Sequence, residues 1–523
     1  MPDLSTALAL TIPRLLGERA KARPNALSLS ARSITGYRDR LTYAQLVARM
    51  EAVASGLHAL GLGRNDRIGV FLGNEAGREC MLTALGALRL GAAVVPLNTR
   101  SADEELTHAL ELVEPAAIVT TARSAHRISG LYPAARLLVC GDLAGAPEQA
   151  QPWPEPTTGA WPPAPPEDAD PDDLGCLLFT SGTTARSKAV MHSQRTMIGA
   201  GLSCGAALEL RADDLYQGGW PFFTSSALNL GAMSCWVYGA CLVFEEPLDN
   251  GGRLRLIASE GTTFYHGVPS VVHFLMEEYA QQPSDVSRLR RIGYGGSAMP
   301  PDVIRRIDQQ WPHTEQVQIY GMTESGPAGT RLRPADLWRK LGSIGEAMPY
   351  CEIQVVDDQA NPVAAGTTGE ILIKGPGVAR GYFRLPEAST EAFVAGGIRT
   401  GDVGHLDEDG FLFFTDRSKD VINRGGLKVA SVAVEEVLYR HPAIREAAVV
   451  AIPHPALGED VAACVVARDG ATLDVEDLSA FCARSLADYA RPRRWLVIDE
   501  LPKNPMGKVL KKELRQRLAA TAP

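Results

Sequence analysis

Apolar residues at Leu46, Met50, Val53, Leu57 and Leu60 recur in steps of four and three, which places them on one face and predicts a helix in the segment after Leu41. The unbroken apolar run RIGVFL from Arg67 then predicts a buried strand. A second helical stretch, RECMLTALGALRL, leads into GAAVVPL, and AAIVTT and RLLVCG repeat the short β-branched theme. Helices alternating with buried strands predict βαβ units around a mostly parallel sheet. From Gln151 to Asp173 the sequence is dense in proline and acid and predicts an exposed connection, since neither a helix nor a central strand tolerates it. The α/β pattern resumes from Gly175 to about Tyr320. Beyond Ile353 the strands turn short and turn-rich (EIQVVDD, GEILIKG, GFLFFTD), which predicts a small antiparallel or barrel-like layer. After Asp416 come a helix around VEEVL, strands AAVVAI and VAACVVA, a helix LSAFCARSL and a strand WLVID, enough in about a hundred residues for a small α+β domain.

Composition narrows the function classes. Of 523 residues, 45% are hydrophobic and 22% charged, so a substantial core is available. Lysine and arginine number 52 against 61 acids, and the resulting net charge of −9 argues against nucleic acid as a principal partner. Nine cysteines, an odd number with no C-x-x-C pair, suit free thiols in a reducing compartment rather than a zinc site or a disulfide frame. No apolar run reaches the roughly 20 residues of a membrane span. The first residues lack a basic leader, so a cytoplasmic protein without an integral membrane segment is expected.

The segment Leu177–Ser193, LLFTSGTTARSKAVMHS, carries the most chemistry: a buried strand runs into hydroxyls, a glycine and a lysine, which together offer amides, hydroxyls and one cation to phosphate oxygens. It is not a Walker loop, because Gly182 to Lys188 lacks the second glycine before the lysine, and alone it also reads as a polar surface turn. Four more segments follow it in order. They are Tyr320-Gly-Met-Thr-Glu324; Arg399-Thr-Gly-Asp402; Asp416-Arg-Ser-Lys-Asp420 with Asn423-Arg-Gly-Gly-Leu-Lys428; and Pro502-Lys-Asn-Pro-Met-Gly-Lys508.

Together these five motifs, from LTYAQL at Leu41 to GKVLKKELR near the end, resemble the adenylate-forming superfamily of acyl-CoA synthetases, luciferases and peptide-synthetase adenylation domains, and most of all a fatty- or aryl-acid CoA ligase. The fold this implies is α/β, with a large N-terminal domain of stacked α/β sheets and a small β-barrel-like layer (1–417) and a small, mobile α+β C-terminal domain (418–523). Residue by residue, the resemblance makes Thr180, Ser181, Gly182, Thr183, Thr184 and Lys188 the loop over the β- and γ-phosphates of ATP. It puts Tyr320 on adenine, Thr323 at the α-phosphate, Glu324 on Mg²⁺, and Asp402 and Arg417 at the ribose. Lys508 matches the lysine that reaches the carboxylate and α-phosphate during adenylation, Lys419 a hinge, and Gly426 a glycine lining the pantetheine tunnel for CoA. Lys511 and Lys512 read as solvated tail lysines. Ala185, Ser187 and Ala189 depart from the glycine, proline and glycine common in the family's phosphate loop, and small residues at all three still permit close approach to phosphate.

Family position points to Trp220, Phe222, Phe223 and Thr224, then Tyr265, His266 and Gly267, then Tyr294, Gly295, Gly296 and Ser297 as the acid pocket. Each aromatic is equally a core residue, and His266 reads slightly better as a hydrogen-bonded core histidine than as a group orienting substrate. Thr224 stands where amino-acid-activating relatives carry an aspartate for the substrate ammonium, so an apolar acid is expected. The reading is an ATP- and Mg²⁺-dependent ligase joining a small-molecule carboxylic acid to CoA. Two others stay open: an adenylating enzyme that loads a separate carrier protein's phosphopantetheine, and a nucleotide-binding regulator without turnover.

Overall fold

The computed structural model describes residues 3–156, 161–180, 187–297, 299–417, 420–425, 427–503 and 509–520. Two sheets dominate its first three hundred and fifty residues or so. One has seven strands in the order Gln151–Pro152, Arg136–Cys140, Ala117–Thr121, Arg67–Val70, Ala93–Pro96, Leu174–Phe179, Ala189–Ser193. Its neighbours run parallel until the last pair, which is antiparallel. The other has nine, in the order Glu346–Ala347, Thr330–Leu332, Glu315–Tyr320, Arg291–Gly295, Phe264–Gly267, Leu215–Gly218, Cys241–Phe244, Leu27–Arg32, Arg38–Thr42. The predicted βαβ pattern is thus present in both.

The helix predicted after Leu41 spans Tyr43–Ala59 and buries Leu46, Met50, Val53 and Leu57. Thr42 starts it with a reciprocal cap: its hydroxyl accepts from the Gln45 backbone N–H, and the Gln45 side-chain Oε1 accepts from the Thr42 N–H. Helix Gly77–Arg89 is buried on every side. It packs against strand Ala93–Pro96 of one sheet and Leu27–Arg32 of the other, so the sheets are stacked with this helix between them. The proline-rich connection is less exposed than its composition predicts. Trp153 is buried and donates to Thr83 Oγ1 at 2.9 Å, and Glu155 accepts from the buried Arg78 guanidinium at 3.0 Å. A buried cation needs such partners, and local composition says nothing about a partner 77 residues away.

A five-stranded sheet follows, with Glu352–Val356, Gly369–Lys374, Gly397–Leu406 and Phe393–Val394 in order and Leu412–Arg417 beside Gly397–Leu406. By its internal contacts the chain divides into two units. The larger is Met1–Ile353, Leu372–Ile398 and Gly410–Leu412; the smaller is Gln354–Ile371, Arg399–Asp409 and Phe413–Pro523. The smaller unit is built on strands Leu427–Val429, Ile422–Arg424, Gly458–Ala467 and Ile444–His454, with Arg494–Val497 parallel to Gly458–Ala467. Helices cover both faces of that sheet. Ala447, Val449, Val461 and Val465 meet helices Ser431–Tyr439 and Val475–Ala483, while Ala448, Val450, Ala462 and Cys464 meet helix Lys511–Ala520. Burial on both faces explains why AAVVAI and VAACVVA are unbroken apolar runs instead of alternating ones. All nine cysteines are unpaired thiols. No helix among the described residues is long and apolar enough to cross a membrane.

Candidate active site

Strands Leu174–Phe179 and Ala189–Ser193 form an antiparallel hairpin whose last strand pair is Phe179 and Ala189. One step further the Thr180 N–H donates to the Lys188 carbonyl at 3.0 Å, so these two residues make the neck of the predicted phosphate loop. Ser181, Gly182, Thr183, Thr184 and Ala185 lie outside the described residues. Ala189, one of the departures from the family pattern, is fully buried and ladder-paired, so the sheet accommodates its methyl group. A further segment zips onto the return strand: Met191 N–H donates to Gly381 O, Arg380 N–H to Met191 O and Phe383 N–H to Ala189 O, at 2.8–2.9 Å.

That segment brings Tyr382 to the neck. The Lys188 ammonium sits 4.6 Å from the centre of the Tyr382 ring, and the buried Tyr382 hydroxyl donates to Glu324 Oε1 at 3.0 Å. Burial, and then the Glu324 charge, push the phenol's pKa well up, so the group is a donor at any ordinary pH. Glu324 is held in the 3₁₀ turn Thr323–Ser325, where its own carbonyl accepts from Ala379 N–H at 2.8 Å. Glycines on either side make the turn possible. A Cβ on Gly321 would lie 1.9 Å from the Pro327 carbonyl oxygen, and Gly326 ends the turn at φ +79° against Ala200 and Gly377.

His192, which sequence reasoning passed over, fixes the turn from the hairpin side. Its Nε2 lies 2.8 Å from the Thr323 carbonyl and its Nδ1 3.2 Å from Thr196 Oγ1, and burial lowers its pKa to about 4. His266 is also buried, with a pKa lowered to about 3 by the same cause, and its Nδ1 takes the Tyr216 hydroxyl at 2.7 Å. Both rings stay neutral in the fold down to those values but charge near 6.5 when unfolded. Between them the unfolded chain binds more protons, so stability is full above about 6.5 and falls as pH drops. Each ring removes about 1.5 kcal/mol between pH 6.5 and 5. Urea midpoints measured across that range should fall on acidification with a shallower slope in His192→Gln; an unaltered slope would show an ordinarily titrating imidazole.

The predicted pocket residues divide by neighbourhood. Trp220 packs edge-on to His266, with ring centres 5.1 Å apart, and Phe222 turns into the core against Phe244. Phe223 and Thr224 are half-buried, and the Thr224 hydroxyl donates to the Pro221 carbonyl at 2.8 Å. Asn74 anchors this segment: its amide donates to Trp220 O and Glu245 O at 2.9 Å and its carbonyl accepts from Phe222 N–H at 3.0 Å. Nothing local to Asn74 announces a partner 146 residues away. Tyr265 is buried; the Tyr294 hydroxyl reaches Gln316 Oε1 at 3.3 Å, inside the core. Gly295 and Gly267 are buried strand ends, Gly296 (φ +86°) and Ser297 are exposed, and Tyr320 closes strand Glu315–Tyr320 half-buried.

In the smaller unit Asp402 is buried on strand Gly397–Leu406, its N–H held by Thr400 Oγ1 at 3.1 Å, and Arg417 Nε stands 3.2 Å from its Oδ1. Asp416 accepts from the Arg417 N–H at 2.7 Å and from the first N–H of helix Ser431–Tyr439, so it ties the motif to that helix. Lys419, Gly426 and Lys508 lie outside the described residues. The expectation of a solvated Lys511 is corrected: its ammonium bonds Ser431 Oγ at 2.6 Å and Glu435 Oε1 at 2.8 Å. A buried carboxylate, with a pKa raised by burial, needed a cation there, whereas Lys512 is exposed as expected.

Among the described residues no cluster of three or more His, Cys, Asp or Glu side chains is placed to hold a metal by itself. The buried Glu324 carboxylate is a hard oxygen donor near the loop neck, and it suits a Mg²⁺ ion that completes its shell with phosphate and water oxygens. A lysine at the neck of a hydroxyl-rich loop, joined through Tyr382 to a shielded carboxylate, is an arrangement that suits a nucleotide-dependent enzyme. The family model described as "AMP-binding enzyme" matches residues 16–383, and its C-terminal domain model matches residues 433–508; the chain belongs to this family.

Among curated relatives, a feruloyl-CoA synthase of an Amycolatopsis species is 32% identical over 479 residues, spanning 91% of this chain and 94% of its own. An indoleacetate–CoA ligase of Aromatoleum aromaticum is 33% identical over 483 residues, 92% of this chain and 93% of its own. Among solved structures, ATP-bound MatB of Rhodopseudomonas palustris superposes with a TM-score of 0.86 at 28% identity, covering 97% of this chain and 99% of that one. The large N-terminal and small C-terminal domains of the family's fold are therefore those of this protein.

Proposed function

We propose that the protein is an AMP-forming acid–CoA ligase. A carboxylate is a poor electrophile, because attack would add charge to an anion. In the first half-reaction its oxygen attacks the α-phosphorus of ATP, the bond to the bridging β-phosphate oxygen breaks, and pyrophosphate leaves. In the second the CoA sulfur attacks the acyl carbon, AMP leaves with the electron pair of the broken C–O bond, and the thiol proton passes to solvent. Positioning and charge neutralisation supply most of the acceleration.

The observation that carries this reading is the union of Lys188, Tyr382 and Glu324 at the neck of the hydroxyl-rich loop. Lys188 and the loop hydroxyls bind the outer phosphates, Thr323 the α-phosphate and Tyr320 the adenine. Asp402 and Arg417 take the ribose, and Lys508 meets the charge that gathers in the first half-reaction. Glu324 holds Mg²⁺, which when bound supplies charge neutralisation to the phosphates. Lys419 serves as the hinge of a C-terminal domain from residue 418 on, which turns between the half-reactions, and Gly426 lines the approach of CoA. Unpaired thiols throughout and the use of ATP and CoA favour the cytoplasm.

A half-buried Phe223, and beside it a Thr224 that offers no carboxylate to an ammonium, favour an apolar acid, aryl or fatty. Feruloyl- and indoleacetyl-activating relatives support the aryl side. Pyrophosphate release over aryl, short, medium and long fatty acids and amino acids tests this. Aryl or fatty acids should give the signal, and full activity on a proteinogenic amino acid would refute the pocket reading.

The ribose assignment predicts its own outcome. A charged acceptor for two hydroxyls is worth enough that Asp402→Asn should weaken AMP binding by about tenfold or more. Calorimetric titration with AMP checks it, and unchanged affinity would remove Asp402 from the nucleotide.

A further inference from the structure

We infer that Tyr382 is a positioning residue that fixes the phosphate-loop lysine and the metal-binding carboxylate in one unit; this rests on the roles of Lys188 and Glu324 proposed above. Three observations carry it. The Tyr382 hydroxyl donates to Glu324 Oε1 at 3.0 Å, its ring lies 4.6 Å beneath the Lys188 ammonium, and the side chain is 7% exposed. Its backbone belongs to the segment that pairs with the hairpin's return strand on one side and, through the Ala379 N–H, holds the Glu324 carbonyl on the other. No path along the chain joins the loop at Lys188 to the turn at Glu324 within a hundred residues, and Tyr382 comes from a third place in the sequence.

The two contacts do different work. A carboxylate has acceptor sites enough for a phenol hydrogen bond and a cation together, so the hydroxyl orients Glu324 without occupying it. Hydrogen bonds of this kind to metal ligands set both the orientation and the strength of the bond to the metal. The ring face attracts the ammonium without neutralising it, which holds Lys188 near the loop and leaves its charge for phosphate. A phenylalanine keeps the second contact and loses the first, while a leucine loses both.

The experiment measures Mn²⁺ binding by electron paramagnetic resonance in the presence of a non-hydrolysable ATP analogue, for the parent chain, Tyr382→Phe and Tyr382→Leu. Nucleotide affinity without metal is measured in parallel by calorimetry. Tyr382→Phe should bind Mn²⁺ in the ternary complex about tenfold more weakly or worse, with metal-free nucleotide affinity within twofold of the parent. Tyr382→Leu should in addition lose nucleotide affinity, and thermal melts should show all three chains folded. Equal Mn²⁺ affinity in the parent and a folded Tyr382→Phe would overturn the positioning role while leaving the ligase reading intact. A parent chain that binds no Mn²⁺–nucleotide at all would overturn both.

Discussion

Lys508→Ala should lower pyrophosphate-forming adenylation by a factor on the order of a hundred or more while leaving thiol attack on a supplied acyl adenylate within a few-fold of the parent. Only the first half-reaction gathers negative charge on the attacking carboxylate and the α-phosphate at once, and a cation aimed there acts on the transition state alone. Lys511 is not free to take over the role. It is held by Glu435 and Ser431, and removing it would strand a buried carboxylate. Isotope exchange between pyrophosphate and ATP reads the first half-reaction, and thioester formation from synthetic adenylate reads the second. An equal loss in both would contradict the assigned role.

Glu324→Gln should cost adenylation about a hundredfold as well, because it withdraws a charge from the metal while keeping the side chain's shape. The amide oxygen still accepts from the Tyr382 hydroxyl, and the Glu324 backbone still receives the Ala379 N–H, so the turn survives and the loss reports on chemistry instead of folding. Raising Mg²⁺ should recover part of the activity. A variant with the parent's Mg²⁺ dependence and rate would make Glu324 a structural carboxylate.

Local patterning was enough to place most of the fold. Alternating helices and apolar strands predicted the βαβ units, and the runs near residue 450 and residue 463 were read as strands, whose cover on both faces is seen only in the structure. Where the reading fell short, the cause was a partner distant in sequence. Trp153 and Glu155 sit in a proline-rich stretch, yet they are drawn in by Thr83 and Arg78. Lys511 looks like part of a basic tail until Glu435 is seen beside it. The hairpin neck at Lys188, the turn at Glu324 and the Asp402–Arg417 pair fall in motifs singled out by their resemblance to the adenylate-forming superfamily. His192, Asn74 and Tyr382 carried no such signal, since each acts through hydrogen bonds to segments more than fifty residues away and leaves no local pattern.

The proposed reaction activates the acid as an adenylate and then hands the acyl group to CoA. The most direct measurement is phosphorus NMR together with mass spectrometry on one reaction containing ATP, Mg²⁺, CoA and an acid that releases pyrophosphate. AMP, pyrophosphate and an acyl-CoA thioester in equal amounts are the result expected. ADP and inorganic phosphate in place of AMP would contradict the first half of the proposal, and an acyl adenylate that persists untouched by CoA would contradict the second and point to a carrier protein as acceptor.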